Sequence, residues 1–263
     1  MMVIDHKMGD ELQMMIASIS NIEQIKVRAY EIIDSTNNEA KRYAASATDR
    51  TPVLFVAKEQ SAGRGRVGRS FVSRCNMGIY MTLLYFVDTV SDTVSVTTHA
   101  AVAVATSIER VAGKPMKVKW VNDIFDECGK VSGILVEGQM TSLGYAVAVG
   151  IGINTGAGDF PEELKNIASS IGDIGSSAKT LVALIVKKLL DHANAPANKS
   201  YMDDYRARFM LSGKDVVLSM ADGEDKPGRV VGVDDEGGLI IDTSSGREVI
   251  KSGSVSVRLK EES

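Results

Sequence analysis

The chain has 263 residues and a net charge of −4, from 30 basic and 34 acidic side chains. This balance argues against a broad nucleic-acid-binding surface, and the presence of only two cysteines argues against a disulfide framework. Apolar residues make up 44% of the chain, but no apolar run reaches the roughly 18 residues that a membrane helix needs. We therefore expect a cytoplasmic protein with no membrane partner, built as one large domain or as one large and one small domain.

Residues 1–26 precede the first predicted strand and are treated as an N-terminal extension. A larger α+β domain is predicted after them, over residues 27–211. Thr36 and Glu39 form a capping-box pattern, which places the start of a helix there. Hydrophobic periodicity predicts the first elements in chain order as a strand over 27–34, a helix over 37–47, strands over 51–59 and 77–87, and a helix over 94–113.

The next segments alternate between apolar strands and short turns, which favours antiparallel hairpins. They predict strands over 116–126, 130–139 and 143–155, followed by helices over 178–193 and 199–211. Beyond this point the pattern changes to five short strands separated by glycine, aspartate and serine. That spacing is typical of a small β-barrel, so we predict a second, all-β domain over residues 212–263.

The segment from Gln60 to Phe71 concentrates three glycines and three arginines within residues 63–69. It formally matches G-x-G-x-x-G, but only SFVSRCN separates it from the next strand, which is too short for the helix of a dinucleotide fold. A solvated, flexible hairpin is a second interpretation. The third is an anion clamp, in which glycine amides approach phosphate oxygens and guanidinium groups bind phosphate or carboxylate.

Two further segments place polar residues at strand ends. Lys119, Asn122 and Asp123 lie in KWVND, which is either an ordinary hairpin turn or a polar lip for a nucleotide. Lys130 lies close to Gly133, and a glycine inside a strand often marks close approach by a ligand or another backbone. A turn lysine is commonly solvent-facing and inert; alternatively, it neutralises charge that develops on a reacting phosphoryl group.

Ser35, Thr36 and Asn154 are further candidates with simpler explanations. The capping box accounts for Thr36 without any ligand, whereas the Ser35 hydroxyl would be able to face a bound heterocycle. Asn154 ends the strand VGIGIN, in which the glycines are compatible with a bulge and the terminal amide with a ligand contact.

In this order, the segments DSTNNEAK, EQSAGRGRVGRSF, MGIYMTLL, KWVNDIF, GKVSGILVE and VGIGIN resemble the biotin protein ligase family over residues 28–155. The C-terminal segment is similar to the small SH3-like domain of these ligases. The resemblance implies an α+β fold, with a mixed β-sheet and helices on one side, followed by an SH3-like β-barrel. It also implies ATP-dependent activation of biotin to biotinyl-5'-AMP, and transfer of the biotinyl group to a lysine of a carrier domain.

The same resemblance implies roles for individual residues. Arg66 and Lys130 would be the catalytic charges. The contacts to biotin and adenylate would be made by Ser35, Thr36, Gln60, Gly63, Arg64, Arg66, Lys130 and Gly133. ATP and its phosphates would contact Arg69, Phe71, Lys119, Asn122 and Asn154. Mg²⁺ would enter with ATP, and Asp123 is its expected protein ligand. The chain departs from the family at Val121, where proline is usual.

The resemblance also bears on partners. The expected macromolecular substrate is a biotin carboxyl carrier protein domain, and a homodimer is compatible because related ligases often pair through a sheet edge. Some members carry an N-terminal winged-helix domain that binds DNA. Residues 1–26 are too few for such a domain, so we expect no nucleic-acid partner and no repressor activity.

Two alternatives remain open. Lipoate ligases and octanoyl transferases share the fold, but the former carry a glycine triplet that this chain lacks at the corresponding loop, and the latter need a nucleophilic cysteine. Cys128, close to Lys130, is the candidate for that nucleophile. The other alternative is a non-enzymatic biotin sensor, which would bind biotin without releasing pyrophosphate from ATP.

Overall fold

The computed structural model describes residues 2–20, 24–66, 68–88, 93–156, 160–219, 225–251 and 256–259. Most elements lie near their predicted positions, and the N-terminal extension adds a short strand and a helix. In chain order the elements are β1 (Val3–Ile4), α1 (His6–Ser20), β2 (Lys26–Ile33), α2 (Thr36–Ser46), β3 (Val53–Gln60), β4 (Gly78–Val87), α3 (Thr93–Ala112), β5 (Lys117–Lys119), β6 (Asp123–Phe125), β7 (Lys130–Thr141), β8 (Gly144–Asn154), α4 (Ser177–Asn194), α5 (Tyr201–Arg208), β9 (Asp215–Ser219), β10 (Asp225–Val233), β11 (Leu239–Thr243), β12 (Gly246–Ile250) and β13 (Ser256–Leu259).

A mixed eight-stranded sheet, in the order β1–β2–β3–β4–β8–β7–β6–β5, is the frame of the larger unit. Strands β2 and β3 are parallel, and the other described neighbours are antiparallel. The hairpins predicted between β6 and β7 and between β7 and β8 are both present. Strand β4 lies in the middle and is buried along most of its length, as its nearly continuous apolar sequence predicts.

Helices α1, α3, α4 and α5 form the main layer on one face of this sheet. Their apolar residues share a core with alternate strand residues such as Leu83 and Val149. Helix α2 is the exception, because it packs on the opposite face over a smaller core that contains Phe55 and Leu84. Since α2 is short, it leaves room beside it on this face for a pocket.

The start of α2 differs by one residue from the capping-box prediction. The N-cap is Ser35, whose extended backbone precedes the helix and whose hydroxyl accepts from the Asn38 N–H at 3.5 Å. Thr36 is already helical, and its backbone N–H donates to Gln60 Oε1 at 2.8 Å. The prediction was wrong because serine and threonine are both favourable N-cap residues, and the contact of the Thr36 N–H with a distant strand decides between them.

The strand predicted over 116–126 is instead two short strands, β5 and β6, separated by a turn. Trp120 and Val121 are neighbours in this turn and both are buried, at 4% and 0% exposure. Consecutive buried side chains are incompatible with the alternation of a strand that has one solvated face, so the chain turns here. The peptide bond between these two residues is cis.

The C-terminal unit is an antiparallel sheet in the order β12–β11–β10–β9–β13, in agreement with the five strands predicted. Its apolar residues, including Leu218, Leu239 and Ile241, belong to the same continuous core as the helical layer of the larger unit. The pairings among the described residues give an open order of strands. This small sheet is therefore packed against the larger unit and is not a separate, loosely tethered module.

The β10–β11 turn, residues 234–238, makes most of the polar contacts between the two units. The indole Nε1 of Trp120 donates to the Gly237 carbonyl at 2.9 Å, in a buried position. Glu236 pairs with Lys199 at 2.5 Å, and Asp235 pairs with Arg206. A buried indole N–H needs an acceptor, and here the acceptor comes from the other unit.

Two histidines lie face to face inside the helical layer. The rings of His99 and His192 stack with centroids 4.0 Å apart, and both meet the edge of Tyr201. Burial lowers the pKa of His99 to about 3, and the nearby charges of His192 and Lys188 act in the same direction. Burial also lowers the pKa of His192. Both imidazoles are therefore neutral at pH 7.

We expect this histidine pair to weaken the fold in acid. An unfolded histidine takes up a proton below pH 6.5 while folded His99 remains neutral, so stability falls as pH decreases from 6.5 toward 3. For His99 alone the loss at pH 5 is about 2 kcal/mol of unfolding free energy. The unfolding free energy, measured by urea denaturation at pH 7.5 and 5.0, should change less between the two pH values in His99→Gln than in the wild type. The exposed-site control His6→Gln should keep the wild-type slope; equal slopes for all three proteins would contradict the assignment.

Candidate active site

A pocket opens on the face of the sheet beside α2 and encloses about 1000 Å³, mouth included. Its walls come from the start of α2, the glycine-arginine loop, the β5–β6 turn, β7, β8 and Val257 of the C-terminal sheet. Most residues predicted from the sequence meet here. Those that line it are Ser35, Thr36, Gln60, Arg64, Arg66, Arg69, Phe71, Lys119, Asn122, Asp123, Lys130 and Gly133.

Glycines form the floor of the pocket on the two central hairpin strands. Gly152 of β8 lies directly opposite Gly133 of β7 in the antiparallel register. A Cβ atom on Gly152 would lie 2.5 Å from the Phe71 ring, and one on Gly150 would lie 1.9 Å from Asn37 Oδ1. The missing side chains therefore let both α2 and the loop approach the sheet backbone closely.

One end of the pocket is lined by neutral hydrogen-bonding groups. Gln60 Oε1 accepts from the Thr36 N–H and lies 3.1 Å from the Thr36 hydroxyl, while Gln60 Nε2 donates to Ser73 Oγ at 2.8 Å. These contacts fix which way the Gln60 amide points. Ser35 and Thr36 are almost fully buried, at 1% and 3% exposure, so their hydroxyls face protein or pocket and not bulk solvent.

The other end concentrates positive charge. Arg66 Nη1 donates to Asn122 Oδ1 at 2.9 Å, and Arg69, Lys119 and Lys130 line the same end. Burial lowers the pKa of Arg66 and of Lys119, although the Asp123 carboxylate opposes the shift in both cases. Four cations share this end with one carboxylate, so it is suited to an anionic ligand.

Asp123 is that carboxylate. Its Oδ1 lies 2.8 Å from Lys130 Nζ, so the two groups form an ion pair. The same oxygen is buried, and among the described residues no donor is aligned to form a hydrogen bond with it. The contact with Lys130 is therefore an attraction between opposite charges. The described residues contain no group of three metal-ligating side chains. Asp123 alone therefore does not build a resident metal site.

Two predicted residues lie behind the pocket wall. Gly63 has no room for a side chain, because its Cβ would lie 2.3 Å from the Phe71 carbonyl. Asn154 donates from Nδ2 to the carbonyls of Lys130 and Ser169 at 3.2 and 3.0 Å. Neither residue lines the pocket. Gly63 permits the loop to fold, and Asn154 holds the backbone at the start of β7.

The structure adds residues that the sequence did not single out. Asn37 of α2 lines the pocket above Gly150, and Glu137 of β7 accepts hydrogen bonds from Asn37, Lys41 and Arg64. Glu137 lies four residues after Gly133 in one strand, so alternation alone places both on the same face. The alternation of side chains along the strand was therefore sufficient to predict that Glu137 lies on the pocket face. No local pattern would have found Asn37, whose neighbours come from distant strands.

The chain was compared with known proteins. Residues 29–154 match the model of the biotin/lipoate A/B protein ligase family, and residues 211–258 match that of the biotin protein ligase C terminal domain. The biotin--[acetyl-CoA-carboxylase] ligase of Mycobacterium tuberculosis is 30% identical, over 84% of this chain and 85% of that protein. The bifunctional ligase/repressor BirA of Bacillus spizizenii is 32% identical, over 86% of this chain and 72% of that protein.

A solved structure agrees with these sequence matches. The biotin protein ligase of Aquifex aeolicus, in complex with biotin and ATP, superposes with a TM-score of 0.75. The two are 26% identical, and the match covers 91% of this chain and 100% of that one.

We expect Gly152→Ala to displace the Phe71 ring and to destabilise the protein. The added methyl group would meet the Phe71 ring at 2.5 Å, so the ring should move out of its position and the unfolding free energy should fall by about 1–3 kcal/mol. Urea unfolding and a crystal structure of the variant would measure both effects. Gly232→Ala in β10 is the matched control, because its added Cβ meets nothing within 4 Å. An unmoved Phe71 ring with unchanged stability would contradict this account of the floor.

Proposed function

The chain belongs to the biotin/lipoate A/B protein ligase family, and we propose that it is a biotin protein ligase. In this proposal it activates biotin with ATP, forming biotinyl-5'-AMP and pyrophosphate, and then transfers the biotinyl group to a lysine of a carrier domain. The observation that carries the proposal is one pocket with a neutral hydrogen-bonding end, a side-chain-free floor and a cationic end.

The neutral end suits the uncharged ring system of biotin. Ser35, Thr36 and Gln60 offer hydroxyl and amide groups, and burial removes the water that would compete for them. The Asn37 side chain and the Phe71 ring, which lie against the glycine floor, would border that ring system. Biotin would then extend its valeryl carboxylate toward the cationic end, where the phosphates of ATP must also lie.

At the cationic end, Arg66 and Lys130 would stabilise the charge of the first step. One carboxylate oxygen of biotin attacks the α-phosphorus of ATP, the bond to the bridging oxygen of pyrophosphate breaks, and pyrophosphate leaves with the electron pair. Negative charge grows on the phosphoryl oxygens in the transition state, and fixed cations in a partly dry pocket stabilise it more than water does. Arg69 and Lys119 would hold the remaining phosphates, and Phe71 would provide an apolar wall for adenine.

The second step needs the carrier lysine in its neutral form. Its ε-amine attacks the acyl carbon of the mixed anhydride, AMP leaves with the electron pair, and the amine loses a proton. No protein nucleophile takes part in either step. The pocket contributes alignment of the reactants and exclusion of water, which would otherwise hydrolyse the adenylate.

Magnesium enters this scheme as part of the Mg–ATP substrate. Mg²⁺ keeps several waters and is commonly bound through one or two carboxylates together with substrate phosphates. The single buried carboxylate of Asp123 fits that limited role, and it lies beside the cations that would face the phosphates. The ion would supply charge neutralisation on the phosphates, while Asp123 would exchange part of its contact with Lys130 for it.

The proposal includes a biotin carboxyl carrier protein domain as partner, a cytoplasmic location and no nucleic-acid partner. Helix α1, within the N-terminal extension, buries Leu12 and Ile16 in the main core, so these residues serve packing and not the recognition of DNA. None of the described helices is long and apolar enough to cross a membrane. Pairing of two copies through a sheet edge is also part of the proposal.

A cysteine-dependent transferase is the competing enzymatic function. Cys75 and Cys128 are both exposed free thiols, and neither lines the pocket. Cys128 lies in the β6–β7 turn, where its backbone N–H and that of Gly129 donate to Asp126 Oδ1. A thiol outside the pocket cannot attack an acyl group held inside it, so the geometry favours activation by ATP.

Removal of either catalytic charge should abolish most of the first step while preserving the fold. We expect Arg66→Ala and Lys130→Ala each to lower kcat/KM for biotin-dependent pyrophosphate release by about 10²–10³-fold, the loss typical of a removed transition-state contact. Arg74→Ala and Lys117→Ala are the controls, because both side chains are exposed and lie outside the pocket. Near wild-type turnover in either test variant would place the chemistry elsewhere, and absence of biotin-dependent pyrophosphate in the wild type would favour a sensor.

Cys128→Ser separates the ligase from the transferase. We expect this variant to label a carrier lysine with biotin at the wild-type rate, with ATP still required, because the thiol lies outside the pocket. Intact-mass measurement of the carrier would show the added biotinyl group. Loss of labelling in Cys128→Ser, with retention in Cys75→Ser, would indicate a covalent cysteine route.

A further inference from the structure

Glu137 of β7 connects the two elements that cover the pocket. Its carboxylate lies 2.9 Å from Lys41 Nζ and 3.0 Å from Asn37 Nδ2, both on helix α2. Both oxygens of the same carboxylate accept from Arg64 Nη1 of the glycine-arginine loop, at 2.9 and 3.0 Å. Arg64 Nη1 also lies 3.1 Å from Asn38 Oδ1, so the loop is bound to the strand and to the helix at one point.

This carboxylate is held in its charged form. Burial would raise the pKa of Glu137, but hydrogen bonds from Lys41 and Asn37 outweigh that effect and keep the pKa below its ordinary value. Its side chain is 20% exposed, so the contacts with Lys41 and Arg64 are partly shielded from solvent. Such charge-assisted contacts are stronger than pairs in open water, and they fix geometry as well as charge.

Because Arg64 lies close in sequence to Arg66 and Phe71, its contact with Glu137 affects where these two pocket residues lie. Arg64 lies one residue after Gly63 and two before Arg66, whose side chain reaches Asn122 on the far side of the pocket. The loop folds on itself through the Gly65 N–H to the Arg69 carbonyl at 2.7 Å and the Phe71 N–H to the Gly63 carbonyl at 2.9 Å. Displacement of Arg64 would therefore move the segment that carries both Arg66 and Phe71.

We propose that Glu137 is a positioning residue that anchors the glycine-arginine loop through Arg64, and that the Arg64 side chain acts through Glu137 and not on the ligand. Glu137 also offsets one of the two positive charges of Arg64 and Lys41, so the rim attracts a carboxylate less strongly than the end with Arg66 and Lys130 does. A bound acid is thereby oriented with its carboxylate toward the reacting phosphate. The expected effect on the KM for biotin rests on the proposed function, whereas the contact by which Glu137 holds the loop does not depend on it.

The test is a double-mutant cycle of Glu137→Gln and Arg64→Gln, with Asp242→Asn as the matched control. Asp242 is a carboxylate paired with Arg247 at 2.7 Å on the C-terminal sheet, outside the pocket. Each single variant should raise the KM for biotin about tenfold, the cost of losing a charge-assisted hydrogen bond, with a smaller change in kcat. The double variant should be no worse than Glu137→Gln alone, because the Arg64 contact is already lost in that single variant.

A second measurement does not depend on activity. Hydrogen exchange of the Gly65 and Phe71 amides in the ligand-free protein should be faster in Glu137→Gln and in Arg64→Gln, and unchanged in Asp242→Asn. Should Glu137→Gln fail to fold, Arg64→Gln alone decides this measurement, because the Arg64 side chain is 38% exposed and adds little to the core.

Additive increases in the KM for biotin across the cycle would overturn the inference, since they would mean that Arg64 contacts the ligand itself. Unchanged exchange in both loop variants would overturn the anchor. If the wild-type protein released no pyrophosphate with biotin and ATP, the proposed function would fail, and the exchange measurement would still decide whether Glu137 holds the loop.

Discussion

The pocket depends on a row of glycines along the middle of the sheet. Gly150 and Gly152 alternate with Val149 and Ile151 on β8, so one face of the strand contributes to the main core while the other face carries no side chain at these two positions. Asn37 of α2 occupies the space above Gly150, and Phe71 of the loop occupies the space above Gly152. Any larger residue at these two positions would lift the helix or the loop away from the backbone. The two glycines therefore determine how closely helix α2 and the glycine-arginine loop approach the sheet, and the other pocket residues are positioned around these two elements.

The distribution of charge follows from this arrangement. The loop brings Arg66 over the cationic end, where burial lowers the pKa of both Arg66 and Lys119. Desolvated cations raise the free energy of the empty pocket, and an arriving carboxylate or phosphate lowers it again. At the rim, Glu137 offsets one of the two positive charges of Lys41 and Arg64. The same loop therefore contains one arginine, Arg64, that is paired with Glu137 at the rim and another, Arg66, that lines the cationic end, although the two lie only two residues apart.

The sequence was sufficient to predict the order of most elements after residue 26 and most of the residues that line the pocket, because these follow from periodicity and from ordered motifs. It was insufficient where a contact between distant segments decides the outcome. The N-cap of α2 is Ser35 and not Thr36, because the Thr36 N–H is bound by Gln60 of strand β3. The strand expected over 116–126 divides at Trp120 and Val121, where both side chains are buried and the Trp120 indole donates to a carbonyl of the C-terminal unit. Asn37 meets a strand 98 residues away, and local patterns carry no information about such a partner.

The contact of Trp120 with Gly237 also bears on why the small C-terminal sheet accompanies the larger unit. Trp120 lies inside KWVND, between Lys119 on one side and Asn122 and Asp123 on the other, and all four line the pocket. Its indole N–H is satisfied only by the β10–β11 turn among the described residues. Val257 of β13 reaches the pocket directly. Without the C-terminal sheet, the Trp120 indole would lose its acceptor, and a lost hydrogen bond typically costs about 0.5–1.5 kcal/mol. The loss would fall in the segment that carries Lys119 and Asp123 of the cationic end. The C-terminal sheet is therefore a structural part of the site, whatever contact it makes with a carrier.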